Sequence, residues 1–235
     1  KKLKLNFPVQ VRKTKIWIRM PNWLGDIVMA LPVIRAIRLG RPDASIVLLC
    51  KKQYVGFLES VELSEEVIAL PQAKGFRYFA PFLKMRKHYP DAMLLFTNSF
   101  RGDLEAFLIG AKVRFGMVKK HRRPLLNATW EVPGQEIGNH QTRLWEGLAR
   151  NFGLREKLDF SPLAPVGSSD SLASGKLRVG VAPGSSNTPA KRLPVESWIE
   201  VCENLRNELQ RKPFSIELYG TKKDENLCKE IQSSL

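Results

Sequence analysis

From Lys15 onward, short runs of aliphatic and β-branched residues alternate with stretches in which apolar positions recur every three or four residues. The runs KIWIRM, SIVLLC, VIAL, DAMLLF and VRFGM have the length and composition of strands. Between and after them, residues 26–39, 53–60, 76–89, 103–110 and 139–152 carry the helical period. Strands alternating with amphipathic helices predict an α/β domain whose mostly parallel sheet is covered on both faces.

The rhythm stops at SPLAPVGSSDSLASGK, residues 161–176, whose Ser, Gly, Ala and Pro predict an interdomain linker. A second unit follows: strand KLRVGVAPG, loop SSNTPAKRLP, helix 195–209, strand FSIELYG and helix 223–233. The expected organisation is a basic N-terminal extension (1–14), a first α/β domain (15–160), the linker (161–176) and a partial second α/β domain (177–235). Two strands and two helices are too few to close a doubly wound sheet. The second domain is therefore expected to be incomplete at Leu235, with an unpaired sheet edge and an uncovered apolar face.

Composition narrows the classes. With 43% hydrophobic content over 235 residues, the chain can bury one large core or two small ones. No apolar run approaches the roughly 18 to 20 residues that cross a bilayer, and the basic start has no signal-peptide apolar stretch behind it, which predicts a cytoplasmic protein. Cys50, Cys202 and Cys228 are far apart and lack a C-x-x-C pair, so neither a disulfide nor a zinc site is expected. The formal charge of +15 points to an acidic partner: nucleic acid, an anionic membrane face or a phosphorylated substrate. Basic residues cluster at 1–15, 84–88 and 119–123, without RNP, zinc-finger or helix-turn-helix signatures. Each cluster has the alternative reading of a solvated surface.

Candidate chemistry gathers in three loops, each at the carboxyl end of a predicted strand, where open α/β sheets bind ligands. In MPNWLGDIVMALP, Asp26 is either the N-cap of the following helix or a general base, with Gly25 allowing close approach of a substrate. In FTNSFRGD, Asn98, Ser99 and Arg101 suit hydroxyl and carboxylate groups, although Asn98 or Ser99 would also serve as a cap. In APGSSNTPAKRLP, Gly184, Ser185, Ser186, Asn187 and Lys191 converge before a helix opened by Pro194, which suits a diphosphate. The Walker A spacing is absent, and an ordinary Ser/Pro turn is the competing reading.

In this order and spacing, NWLGDIVMALP, LLFTNSFRGDLEAFLIGAKVRFG and APGSSNTPAKRLPVESWIEVCENL resemble glycosyltransferase family 9, the family of the lipopolysaccharide heptosyltransferases. The resemblance runs from about Lys15 to the end of the chain. It implies a GT-B architecture of two Rossmann-like domains, with the nucleotide-sugar donor ADP-heptose held by the second and the lipid A-core acceptor by the first. It further implies inverting, metal-independent transfer with no cofactor beyond that donor substrate. Asp26 matches the catalytic base and Gly25 its neighbour on the acceptor side. Asn98, Ser99 and Arg101 match the acceptor-facing segment. Lys191 matches the lysine that neutralises the donor diphosphate, with Ser185, Ser186 and Asn187 in the adjoining phosphate-contact segment.

Such enzymes work on the inner face of the inner membrane as peripheral proteins. An anionic membrane surface, rather than nucleic acid, is thus the partner implied for the charge. Two features depart from the family pattern. A D-[ST]-G-x-x-H-like donor segment, expected within about another hundred residues, does not occur in residues 1–235, and a basic stretch precedes the first strand. The alternative they leave open is a non-catalytic relative that binds anionic glycolipid without a complete donor site.

Overall fold

The computed structural model describes residues 12–119, 123–161, 177–185, 189–209 and 214–235. Contacts divide the chain into two compact units, Lys1–Val166 and Gly167–Leu235. Most of the expected N-terminal extension (1–11) and nearly all of the expected linker (162–176) lie outside the described residues.

The first unit is built on strands β1 (Lys15–Arg19), β2 (Ser45–Cys50), β3 (Glu66–Ala69), β4 (Ala92–Leu95), β5 (Val113–Val118) and β6 (Ala128–Glu131). They form one sheet in the order β3-β2-β1-β4-β5-β6, and every neighbouring pair is parallel. Its helices are α1 (Leu24–Gly40), α2 (Val55–Ser60), α3 (Phe76–Met85), α4 (Phe100–Ile109) and α5 (Gln141–Phe152).

Alternation along the strands supplies two cores. Ile16, Ile18, Ile46, Leu48 and Leu94 face one side, with Ile27, Ile34, Leu58, Trp145 and Leu148 from α1, α2 and α5. Trp17, Val47, Leu49, Met93 and Leu95 face the other, with Tyr78, Phe82, Ala106 and Ile109 from α3 and α4. Because β1, β2 and β4 are covered on both faces, their sequences are nearly continuous apolar runs rather than alternating ones. β6 was not anticipated. Among the described residues it pairs only with β5, and its half-exposed ATWE segment needs no continuous apolar run.

Strand order reverses at β1, whose neighbours are β2 on one side and β4 on the other. α1 leaves β1 to cover one face, whereas α4 leaves β4 to cover the opposite one. A crevice therefore opens between the carboxyl ends of β1 and β4, the usual ligand position of such sheets. The backbone fixes both rims: Phe96 N donates to Arg19 O at 3.0 Å, and Met20 N donates to Leu49 O at 2.9 Å.

The second unit pairs β7 (Leu177–Val181) in parallel with β8 (Phe214–Leu218) and carries α6 (Val195–Glu208) and α7 (Glu225–Ser233). Its small core consists of Val181, Cys202 and Ile231, with Trp198, Ile216, Leu218 and Leu227 packed around them.

Candidate functional site

α1 starts two residues earlier than the sequence pattern suggests, and that changes the reading of Asp26. Its N-cap is Trp23, in an extended conformation with no side-chain capping bond, and Ile27 N donates to Trp23 O at 2.9 Å. The capping reading of Asp26 is thus corrected: it is the third residue of the helix. Its half-buried carboxylate makes no hydrogen bond or ion pair among the described residues. The partial positive charge of the helix N-terminus stabilises an anion at this place. Gly25 is exposed, and no protein atom lies within 4 Å of where its Cβ would stand. The packing does not demand a glycine there.

On the facing rim, Ser99 caps α4, its Oγ accepting from Gly102 N at 3.2 Å. Its structural role is thereby established, whatever it contacts besides. Asn98 and Arg101 are exposed, and the Arg101 guanidinium lies over the Tyr78 ring, 5.3 Å from its centroid.

Beneath these rims are two buried ion pairs that the sequence reading did not identify. Arg19 Nε donates to Glu105 Oε2 at 2.6 Å, while Nη1 donates to Met20 O at 2.5 Å and Nη2 to Asn22 Oδ1 at 3.2 Å. Tyr78 Oη donates to the other oxygen of Glu105. Burial first, then this bond to Glu105, raises the Tyr78 pKa well above the ordinary phenol value and keeps the hydroxyl a donor. Arg123 binds both carboxylate oxygens of Asp103, and it also donates to Met117 O at 2.8 Å and Thr97 O at 3.1 Å. Arg123 therefore does not belong to a solvated basic cluster at 119–123; it is buried. Residues 120–122 lie outside the described residues. The legible signal was a charge at an apolar position: Arg19 within KIWIRM, and Glu105 on the helical period of LEAFLIG.

In the second unit, Lys191 is exposed at the end of a short 3₁₀ turn, Pro189–Lys191. Ser185 O accepts from Arg192 Nη2 at 2.6 Å and Nε at 3.1 Å, so Arg192 folds the loop back on itself. Ser186 and Asn187 lie outside the described residues.

Asp224, in the 3₁₀ turn Lys222–Asp224 that leads into α7, was also missed. Its Oδ2 accepts from Thr221 N at 2.9 Å and Thr221 Oγ1 at 2.7 Å. Those bonds, the hydroxyl's foremost, hold its pKa below the usual carboxylate value, with smaller help from Arg192 and Lys223. A Cβ on Gly184 would stand 2.4 Å from this carboxylate, so only glycine lets the β7 loop pack against it. The loops after β7 and β8 are thereby fixed together; Ser185 is half-buried and Lys191 exposed.

No family model matches the chain. It is 26% identical over 240 residues to lipopolysaccharide heptosyltransferase 2 of Escherichia coli K12, an alignment covering 94% of this chain and 67% of that relative. It therefore spans about two thirds of that relative's length. The solved E. coli ADP-heptose lipopolysaccharide heptosyltransferase II superposes with a TM-score of 0.75 at 24% identity, over 94% of this chain and 69% of that one. A family 9 glycosyltransferase of Veillonella parvula gives a TM-score of 0.75 at 17% identity, over 93% and 66%.

With two parallel α/β units, the chain has the GT-B fold and is similar to glycosyltransferase family 9. It also resembles ADP-heptose:lipopolysaccharide heptosyltransferase II.

Proposed function

We propose that this protein transfers heptose from ADP-heptose to the inner core of lipopolysaccharide with inversion, using Asp26 as the general base. The observation that carries the reading is the state of Asp26. It is a half-buried carboxylate at the switch-point crevice, in the first turn of α1, neither a cap nor ion-paired among the described residues. A carboxylate without a structural partner in that place is available to a substrate. The similarity to heptosyltransferases names the substrates.

In this mechanism Asp26 takes the proton of the acceptor hydroxyl while its oxygen forms a bond to the anomeric carbon. The bond from that carbon to the donor phosphate breaks, and its electron pair leaves with ADP. Lys191, with Ser185, Ser186 and Asn187 of the same sequence segment, stabilises the charge that grows on the departing diphosphate. Gly25 lets the acceptor approach the backbone, and Asn98, Ser99 and Arg101 orient its hydroxyl and carboxylate groups.

No described helix is long and apolar enough to cross a membrane. The charge of +15 supports peripheral attraction to the anionic inner face of the inner membrane, where the lipid-linked acceptor resides.

Turnover of the full chain with ADP-heptose and a lipid A-core acceptor tests the assignment. Asp26→Asn should lower kcat by about 100-fold or more while thermal unfolding is retained, and near wild-type turnover would refute it. Lys191→Ala should weaken donor use rather than acceptor use.

A further inference from the structure

We propose that the outer face of α3, with residues 74–77 leading into it, is the surface by which this protein docks on an anionic lipid bilayer. The proposal deepens the transfer reading by naming the element that meets the membrane, and the docking itself is measured without turnover.

Residues 70–90 contain five cations, Lys74, Arg77, Lys84, Arg86 and Lys87, and no acidic residue. Within α3, Tyr78 and Phe82 are buried in the core beside α4, which fixes the inward face. Phe76, Ala80, Leu83 and Lys84 follow at i, i+4, i+7 and i+8, and all four are exposed. Phe76 is 82% accessible and Leu83 47%, so the core side of the helix offers no place for them. Arg77 and Lys84 flank this apolar strip on one side, by the helical period. Tyr89, just past the helix, is exposed as well.

A short helix with Phe and Leu on its outward strip and cations along the border suits the plane of a headgroup layer. The rings enter the acyl boundary, the cations meet anionic headgroups, and the lysine stems reach outward. A like-charged run without a single acid is complementary to that surface and to no neutral one. Location supports the same occupant. The Arg101 guanidinium stacks on Tyr78, the buried neighbour of Arg77, so a docked α3 would hold the acceptor rim beside the lipid surface.

Cosedimentation of the full chain with phosphatidylcholine vesicles, with and without phosphatidylglycerol, is the direct test at about 0.15 M salt. Retention is expected only with phosphatidylglycerol and should fall as salt rises. The Arg77→Gln, Lys84→Gln variant should bind roughly thirtyfold more weakly, and Phe76→Ser, Leu83→Ser should bind at least about tenfold more weakly. All four side chains are exposed, so melting temperatures should be unchanged. Turnover of a soluble, deacylated acceptor should also be preserved in these variants.

Failure of the wild type to bind phosphatidylglycerol vesicles overturns the proposal, as does equal retention of both variants, or retention on oligonucleotides in place of lipid. The docking pattern without turnover in any form would support this inference and refute the transfer reading.

Discussion

Arg19 and Glu105 join at 2.6 Å between Nε and Oε2, and through them the two rims of the crevice share one buried anchor. Arg19 holds Met20 and Asn22 at the start of the loop that leads to Asp26. Glu105 sits on α4, behind Ser99 and Arg101, and receives the hydroxyl of Tyr78 on which Arg101 stacks. The chain Asn22–Arg19–Glu105–Tyr78–Arg101 thus ties the end of β1 and the loop before α1 to α3 and α4. Removing one partner leaves a buried charge uncompensated, so Glu105→Ala should destabilise the protein by about 3–5 kcal/mol in urea unfolding. Arg19→Met with Glu105→Leu should recover most of that loss but leave the rim without its anchor, so turnover should remain low. Full recovery of turnover in the double variant would show that the pair only fills space.

Asp26 should behave in the opposite way. It has no partner among the described residues, so Asp26→Asn loses only its favourable interaction with the α1 terminus, about 0.3–1 kcal/mol. Chemical unfolding at neutral pH checks this. A larger loss of several kcal/mol would mean that the carboxylate is structural and would count against its role as a base.

Much of this architecture was readable in the sequence, and the exceptions share physical causes. KIWIRM, SIVLLC and DAMLLF were legible as strands because both of their faces are buried, which makes them short, continuous apolar runs. ATWE was not, because an edge strand under partial cover carries no such run. The start of α1 was placed late because Trp23 is not a capping residue type, and Asp26 looked like one. The positions of Asp26, Asn98, Ser99 and Arg101 shortly after β1 and β4 followed from the strand ends, although Asp26 and Arg101 lie in the first turns of α1 and α4. The roles of Arg19, Glu105, Asp103 and Arg123 did not, since a buried pair depends on partners 20 or more residues away, such as Arg123 and Asp103 with a separation of 20. Arg123 illustrates the point: its sequence neighbours are cations, whereas its spatial neighbour is an acid.

Acid should weaken the first unit through Asp91. Its carboxylate accepts from Lys15 N at 3.0 Å, Arg12 Nη2 at 2.8 Å and Lys112 Nζ at 3.1 Å, joining the starts of β1 and β4. The Lys15 amide, followed by the two cations, lowers its pKa from 3.8. A lowered folded-state value means that the unfolded chain binds the proton more readily. The stabilisation is therefore fully present above about pH 4 and is lost as pH falls through the folded value. Asp91→Asn should flatten this acid slope in melts taken between about pH 2 and 6. An unchanged slope would assign the acid sensitivity to other carboxylates.

The packing of Gly184 on Asp224 gives the sharpest test of the second unit, because a double-mutant cycle separates space from chemistry. Gly184→Ala places a methyl 2.4 Å from the carboxylate, and the carboxylate cannot simply move aside while it holds the amide and hydroxyl of Thr221. The β7 loop must shift instead, at about 1–3 kcal/mol, the usual cost of overpacking. Asp224→Ala removes the obstacle together with the Thr221 bonds and should itself destabilise the unit. If the clash is what constrains the loop, adding Gly184→Ala to Asp224→Ala should cost almost nothing further. ADP binding by calorimetry supplies the functional arm: Gly184→Ala should weaken it, since Ser185 and Lys191 ride on the displaced loop. Additive stabilities across the cycle would mean that Gly184 is required for some reason other than its contact with Asp224.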